Sequence, residues 1–525
     1  MKKMKFNNKL AALLLAGTLG LFSCEESALL DLNVDENSAT SIDMAYLFSL
    51  GTLRIAGEHE NTRIPMLYAS TMIQHTASTA GYFSGDKYFY SAAYSGAYME
   101  THYPNVLRLF QHVILQTQDD PTMNNFRAAA TVMKVFDMHR MTDIYGDIPY
   151  SEAGQGLEGA EYWFPKYDTQ EAVYSAMVAD LLEARSLFSE SARALGVQDF
   201  VYSGDLTKWK KFTNALLMRI AMRMSNVDPA TAQAVFTEAN SSGTFTSNDD
   251  IAFIHFETGP QAINRNGLSD GYWGNRKYGR DCKLSETFMN WMIDNNDPRL
   301  MIVSGGTGNP DDASTWDTAE DAQSGLPNGY SSTTLKEILS DSELAEFNEV
   351  GTWMYSFMNL KYQDWEDPYY LISYAEIELL KAEAALKGWI SSDPNSHFEA
   401  GVTAAIDSWV YFDDSFARTD DEISAYIAGR GFSSASDEGK LKLIGEEYWA
   451  ATFMNDIESW ANWRRTGYPE LTPTQDANAF EGNFIPRRMR YWENEIGSNP
   501  ENYSSAVSRM GGDLFATRMW WDGGN

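Results

Sequence analysis

The sequence predicts an all-α protein: a helical scaffold of stacked helical hairpins with long loops and few short strands. Three observations carry this. Apolar residues recur at helical spacing along several stretches, small alanines lie on the same faces, and alternating strand-like runs are scarce. Alanine faces let neighbouring helices approach closely, as helical hairpins require.

The elements follow in chain order. Lys2, Lys3, Lys5 and Lys9 form a positive head, and Leu10 to Phe22 is apolar. At about 13 residues that segment is short of the roughly 20 needed to cross a bilayer, so it reads as an export signal over 1–23. Leu21-Phe22-Ser23-Cys24 at its end resembles a bacterial lipobox, which implies cleavage that leaves Cys24 first and lipidated, and 24–40 reads as an acidic tether. From 41 to 525 no composition break divides the chain, which reads as one domain.

Within it, Phe126, Ala129, Ala130, Met133 and Phe136 make one helical face, with Asn124 and Asn125 as N-cap candidates. Tyr174–Phe188 and Lys208–Met224 are further helices, and Ile251–Phe256 is the best strand. Ser304–Thr334, rich in Gly, Asn, Asp and Ser, reads as a long loop. Ile372, Ala375, Leu379, Ala382 and Leu386 form another stripe, with Ser373, Glu376, Glu383 and Lys387 pointing elsewhere and Gly388 as the stop. Leu441–Trp463 closes the helical series.

Charge narrows the partners. A formal net charge of −33 over 525 residues argues against nucleic acid, which needs clustered positive charge, and against adhesion to an anionic membrane by basic residues. Any membrane attachment would have to be by lipid. The chain has 2 cysteines, so at most one disulfide is possible. With Cys24 consumed by lipid, Cys282 reads as a small core residue. Aromatics reach 13 %, with 28 Tyr and 15 Trp, a composition suited to neutral polar ligands such as sugars.

Catalytic signatures are missing: no nucleophile elbow, no His-Glu-x-x-His, no phosphate-binding loop. The seven histidines are scattered, and His102 and His112 read as ordinary histidines rather than zinc ligands. The acids Asp143 and Asp147, and Glu446-Glu447, carry no information as pairs in a chain with 73 acids. The acidic loop from Asp311 to Asp321 does not have EF-hand spacing. No metal and no cofactor is expected.

The binding signal is aromatic. Tyr82, Phe83, Tyr88, Phe89, Tyr90, Tyr94, Tyr98 and Tyr103 crowd one glycine-punctuated stretch; Tyr272, Trp273, Arg276, Tyr278 and Arg280 crowd another. Flat rings can lie on the apolar face of a sugar while polar side chains bind its hydroxyls. Tyr82, Tyr88, Tyr90, Trp273, Tyr278 and Arg280 are the ligand candidates, with core packing expected for at least half of the rings.

Several stretches together resemble the SusD/RagB family of outer-membrane nutrient-binding lipoproteins. Met141–Ala153 is similar to its LTDxYGDIPYSEA signature, Ile372–Ala385 to its YAE…AEA helix, and Glu447–Leu471 to its ExWxdxRRTGYPxL stretch, with Asn462 as a small departure. Asn296–Leu300, Gly325–Gly329, Ile485–Tyr491 and Thr517–Asp522 add to the ordered set, and Leu21-Phe22-Ser23-Cys24 resembles a bacterial lipobox. The resemblance implies degenerate tetratricopeptide-like helix pairs and lipidation, for instance by palmitate, at Cys24. It implies a non-enzymatic role at the cell surface, binding glycans or in some cases peptides and passing them to a SusC-like TonB-dependent outer-membrane barrel. Glu25 and Glu26 resemble the surface-export signal of such lipoproteins. Asp143, Tyr145, Asp147, Trp460, Arg464 and Arg465 fall in the shared motifs and are expected to hold the scaffold, with Arg464 or Arg465 paired to Asp143 or Asp147. The rival reading is a secreted helical-barrel glycoside hydrolase or lyase, which length, acidity and aromatic content also suit.

Overall fold

Helix pairs build the molecule. The computed structural model describes residues 42–58, 62–274 and 278–524. The expected signal, Cys24 and the tether lie outside the described residues. The long helices are α1 (Met44–Arg54), α2 (Arg108–Gln116), α3 (Asn124–Tyr145), α4 (Gln170–Leu187), α5 (Leu206–Met224), α6 (Pro229–Ser241), α7 (Tyr374–Leu386), α8 (Pro394–Asp407), α9 (Asp420–Arg430), α10 (Asp437–Ala451), α11 (Asp456–Thr466) and α12 (Pro500–Met510). Each of α1 to α6 packs on the next in the order α1, α2, α3, α4, α5, α6. α5 then meets α7, α7 pairs with α8 and α10, and α11 returns against α3. Met44–Asn525 is one compact unit.

Local chemistry starts these helices where the pattern expects. Thr169 caps α4 by accepting from Ala172 N–H, Asp205 caps α5, and Asp228 followed by Pro229 caps α6. Ser373 and Glu376 form a reciprocal capping box on α7, and Gly388 follows at φ +71° as its stop. Gly401 lets α8 lie on α7: a Cβ there would sit 2.8 Å from Leu379 Cγ.

Three details depart from expectation. α3 starts without a side-chain cap, because Asn125 is buried and spends its amide on Ser189 and Arg193. Ile372 belongs to a strand, and Glu376 and Glu383 face inward rather than out. The Leu441–Trp463 stretch is two helices, α10 and α11, broken around Met454 at φ +70°.

Strand is confined to three two-stranded antiparallel pairs among the described residues. β1 (Thr76–Ala77) pairs with β3 (Lys283–Leu284), β2 (Ala252–Ile254) with β6 (Tyr369–Ile372), and β4 (Ser304–Gly306) with β5 (Phe357–Met358). The expected long loop from Ser304 thus begins as a strand, and it is held further by a Ser304 Oγ–Gln323 Oε1 hydrogen bond of 2.6 Å. Cys282 is buried, as its isolation in the sequence suggests.

The shared motifs meet in a buried lattice of charge. Arg219 binds Glu376 at 2.6 Å, and Arg223 binds Glu458 at 2.6 Å and Asp143 at 3.2 Å. Arg465 holds Glu383 through two bonds of 2.6 and 2.7 Å. Tyr448 donates to Glu458 at 2.8 Å. The expected pairing of Arg464 or Arg465 with Asp143 or Asp147 is therefore corrected. Asp143 takes Arg223 and Tyr174, Asp147 takes Arg509 at 2.7 Å, and Arg464 lies over the Trp460 ring, 3.6 Å from its centroid. Tyr145 is buried and donates to Ser95 O. Every one of these residues is tied into the scaffold, where buried ions survive only by pairing. His139, Asp143 and Glu458 lie close enough to hold a cation, but Arg219 and Arg223 already face those carboxylates. Burial lowers the His139 imidazole to about 4, leaving it neutral.

Candidate functional site

The β1–β3 pair carries the two aromatic stretches to one place. Thr76 opposes Leu284 and Ala77 opposes Lys283, so the chain leaving Ala77 and the chain entering Lys283 lie side by side. The first loop is fixed by a buried ion pair. Asp86 accepts from Lys87 Nζ at 3.0 Å, from Asn328 Nδ2 at 2.8 Å and from Gly329 N–H at 2.9 Å, while Lys87 also donates to Ser78 O at 2.7 Å. The second loop is anchored by Lys283, whose ammonium donates to Arg280 O and is lowered to about 8 by burial.

Tyr82 and Tyr278 meet there, ring centroids 5.5 Å apart at 45°, over the buried Phe83. Tyr82 donates to Asp281 Oδ2 at 2.6 Å; burial first, and that carboxylate second, push its phenol up. Next to Tyr278, Gly279 lies flat on Trp273: a Cβ at 279 would be 2.6 Å from the indole. Three of the six candidates, Tyr82, Tyr278 and Trp273, thus form one half-buried row. Arg280 is beside it, exposed and paired with Asp311 at 2.8 Å.

The other two candidates are elsewhere. Tyr88 is 2 % exposed and receives Thr474 N–H on its hydroxyl, so it is a core residue and not a displayed ring. The Asp86–Lys87 pair that orients Tyr82 outward turns Tyr88 inward at φ +56°. Tyr90 stacks on Phe480 at 4.9 Å, lies under Arg490 and donates to Glu493, in a separate aromatic group.

Trp273 also lines an open cleft of about 650 Å³ with Gln363, Asp364, Trp365, Glu366 and Asp367. That loop was not singled out in the sequence, although a tryptophan set among three acids before Pro368 is a visible signal. Asn266 pins it by donating its N–H to Trp365 O at 2.9 Å and its side-chain amide to Asp367 O at 3.1 Å. The turn closes with Asp364 N–H donating to Asp367 Oδ2 at 2.7 Å. Arg265 covers one face of Trp365 at 3.7 Å. Burial, then the neighbouring carboxylates of Asp364, Asp413 and Glu366, raise Asp367 to about 7 against one opposing backbone N–H. Gln363 is 5 % exposed, and both its amide atoms lack a partner, as does the Trp273 indole N–H.

The fold is a helical scaffold of packed helix pairs, and comparison with known proteins specifies its family. Residues 36–492 match the family model SusD-like_2, described as starch-binding associating with outer membrane. The chain belongs to this SusD-like family. It is similar to a Bacteroidetes SusD-like structure at 27 % identity and TM-score 0.82, covering 92 % of this chain and 100 % of that one. A structure titled chitin-binding protein matches at 30 % identity and TM-score 0.79, covering 91 % and 100 %. A chitin-binding SusD homolog from Flavobacterium johnsoniae shares the fold at 24 % identity, TM-score 0.72, covering 91 % and 98 %. No curated protein sequence matches the chain.

Proposed function

We propose that this protein captures glycans at the cell surface and passes them to a SusC-like TonB-dependent outer-membrane barrel, held to the membrane by lipid on Cys24. The observation that carries glycan binding is the Tyr82–Tyr278–Trp273 row running into a cleft whose Gln363 amide and Trp273 N–H have no partner. Family membership supports it, as does the 30 % identical relative titled a chitin-binding protein. A glycan array followed by calorimetry tests binding; a protein that retains no glycan ends this reading. Palmitate labelling that persists in Cys24→Ala would end the anchor claim. Co-purification with a barrel encoded alongside it tests delivery.

One observation favours the hydrolase reading: Asp367, raised to about 7 amid other acids in a cleft, has the character of a general acid. Incubating the purified protein with its bound glycan separates the two. Turnover lost in Asp367→Asn establishes an enzyme; binding without turnover establishes a carrier.

A further inference from the structure

We propose that the glycan site continues past the Trp273 cleft into a second cleft beyond Tyr411, so that the protein holds an extended glycan chain rather than one or two sugar units. The inference rests on the glycan-binding reading and adds the length of the ligand. The second cleft has a volume of about 630 Å³, and Asn248, Asp249, Tyr374, Thr403 and Tyr411 are among the residues that line it. Tyr411 also lines the Trp273 cleft, so one exposed residue is common to both. The β2–β6 pair sets where the two clefts lie. Its strands are antiparallel, with Ala252 opposite Ile372 and Ile254 opposite Tyr369. Thr258, shortly after Ile254, and Pro368, just before Tyr369, line the Trp273 cleft at one end of this ribbon. Asp249, shortly before Ala252, and Tyr374, just after Ile372, line the second cleft at the other end. The longer strand, Tyr369–Ile372, spans about 13 Å at about 3.3 Å per residue, so one chain of several sugar units can enter both clefts.

Tyr411 stands between them on a firm support. Its ring packs on Phe253 of β2, centroids 5.5 Å apart, and Phe253 packs in turn on Tyr370 of β6 at 5.7 Å. The Tyr370 hydroxyl donates to Ser408 O at 2.8 Å, which fixes the turn of Ser408–Tyr411 to the ribbon. Burial first, and the charge of Asp249 second, push the Tyr411 phenol up, so this residue is felt by a carboxylate of the second cleft. A tyrosine suits the crossing: its flat face packs against a pyranose ring and its hydroxyl can meet a ring substituent. Beyond it stands Tyr374, half-buried at the start of α7, with Thr403 of α8 across the cleft. Contacts made by units of one chain reinforce each other, because the second is intramolecular once the first has formed.

The test is calorimetry of the full chain with malto- and chito-oligosaccharides, each as dimer, tetramer and octamer, after the starch of the family description and the chitin of the 30 % identical relative. If a glycan array selects another sugar, its own length series takes their place. In the series that binds, the octamer should bind roughly tenfold or more tighter than the dimer. Thr403→Arg, which brings a long side chain to the second cleft, and Tyr374→Ala, which removes a ring from it, should each weaken the octamer roughly tenfold and leave the dimer as it is. Trp273→Ala should weaken every length. Octamer affinity that survives either second-cleft substitution would overturn the inference and leave the glycan reading standing. Equal weakening of dimer and octamer would make the second cleft the primary site and overturn it too. Binding of no member of either series, nor of any glycan on an array, would overturn both.

Discussion

Tyr82 and Tyr88 are both tyrosines on one glycine-flanked turn, yet one is a candidate ligand contact and the other is core. The Asp86–Lys87 pair decides it by fixing the turn between them. Substitution should separate the roles. Trp273→Ala and Tyr82→Ala should weaken glycan binding by about 1–3 kcal/mol, the usual worth of a lost stacking surface. Tyr88→Ala should instead cost about 3–5 kcal/mol of stability, as large-to-small changes of core aromatics do. Asp367 has a stability signature of its own. Its carboxyl titrates near 7 in the folded protein and near the ordinary 3.8 when unfolded, so the folded state holds the proton more tightly. Its contribution is intact below about pH 4 and is lost as pH rises to about 7. Asp367→Asn, which keeps the acceptor for Asp364 N–H, should match the wild type at pH 4 and exceed it at pH 8 in urea denaturation. Equal midpoints at both pH values would contradict this.

At the scale of elements, α5, α7 and α11 are bound to one another by ions in the dry interior. Burial pushes the Glu383 carboxyl up, but Arg465 outweighs it and holds it below the usual range. Arg223 and Arg219 do the same for Glu458. Glu458→Gln should cost about 3–5 kcal/mol, since it takes a carboxylate from two buried guanidinium groups and leaves Arg219 only Glu376 and Arg223 only Asp143 as ion partners. Because both carboxylates are depressed, their stabilisation is present above about 4.5 and is lost as pH falls through the folded values. Acid titration by circular dichroism should show cooperative loss below that range. Ser373→Ala, which removes the α7 cap, should cost about 1 kcal/mol.

For the whole molecule, the helical class and most helix positions were legible because apolar periodicity and caps are local properties. Thr169, Asp205 and Ser373 each stand one residue before the helix they start. Ion partners were not legible: Arg465 pairs with Glu383, 82 positions away, and 73 acids offer no local reason to choose it. All three rings of the aromatic row were legible, because glycine-punctuated rings at 82, 273 and 278 are unusual in sequence. The Gln363–Asp367 wall was missed, since its meaning arises only when Asn266 brings it opposite Trp273. No helix among the described residues is long and apolar enough to cross a membrane. Anchoring by Cys24 is therefore tested by labelling rather than by the fold.

The central claim is that the row from Tyr82 to Trp273 and the adjoining cleft bind glycan. Isothermal calorimetry of a neutral array-positive oligosaccharide against the wild type and Trp273→Ala tests it most directly. The account predicts saturable one-site binding, weakened roughly tenfold to a hundredfold by the substitution. Undiminished affinity in Trp273→Ala would contradict it.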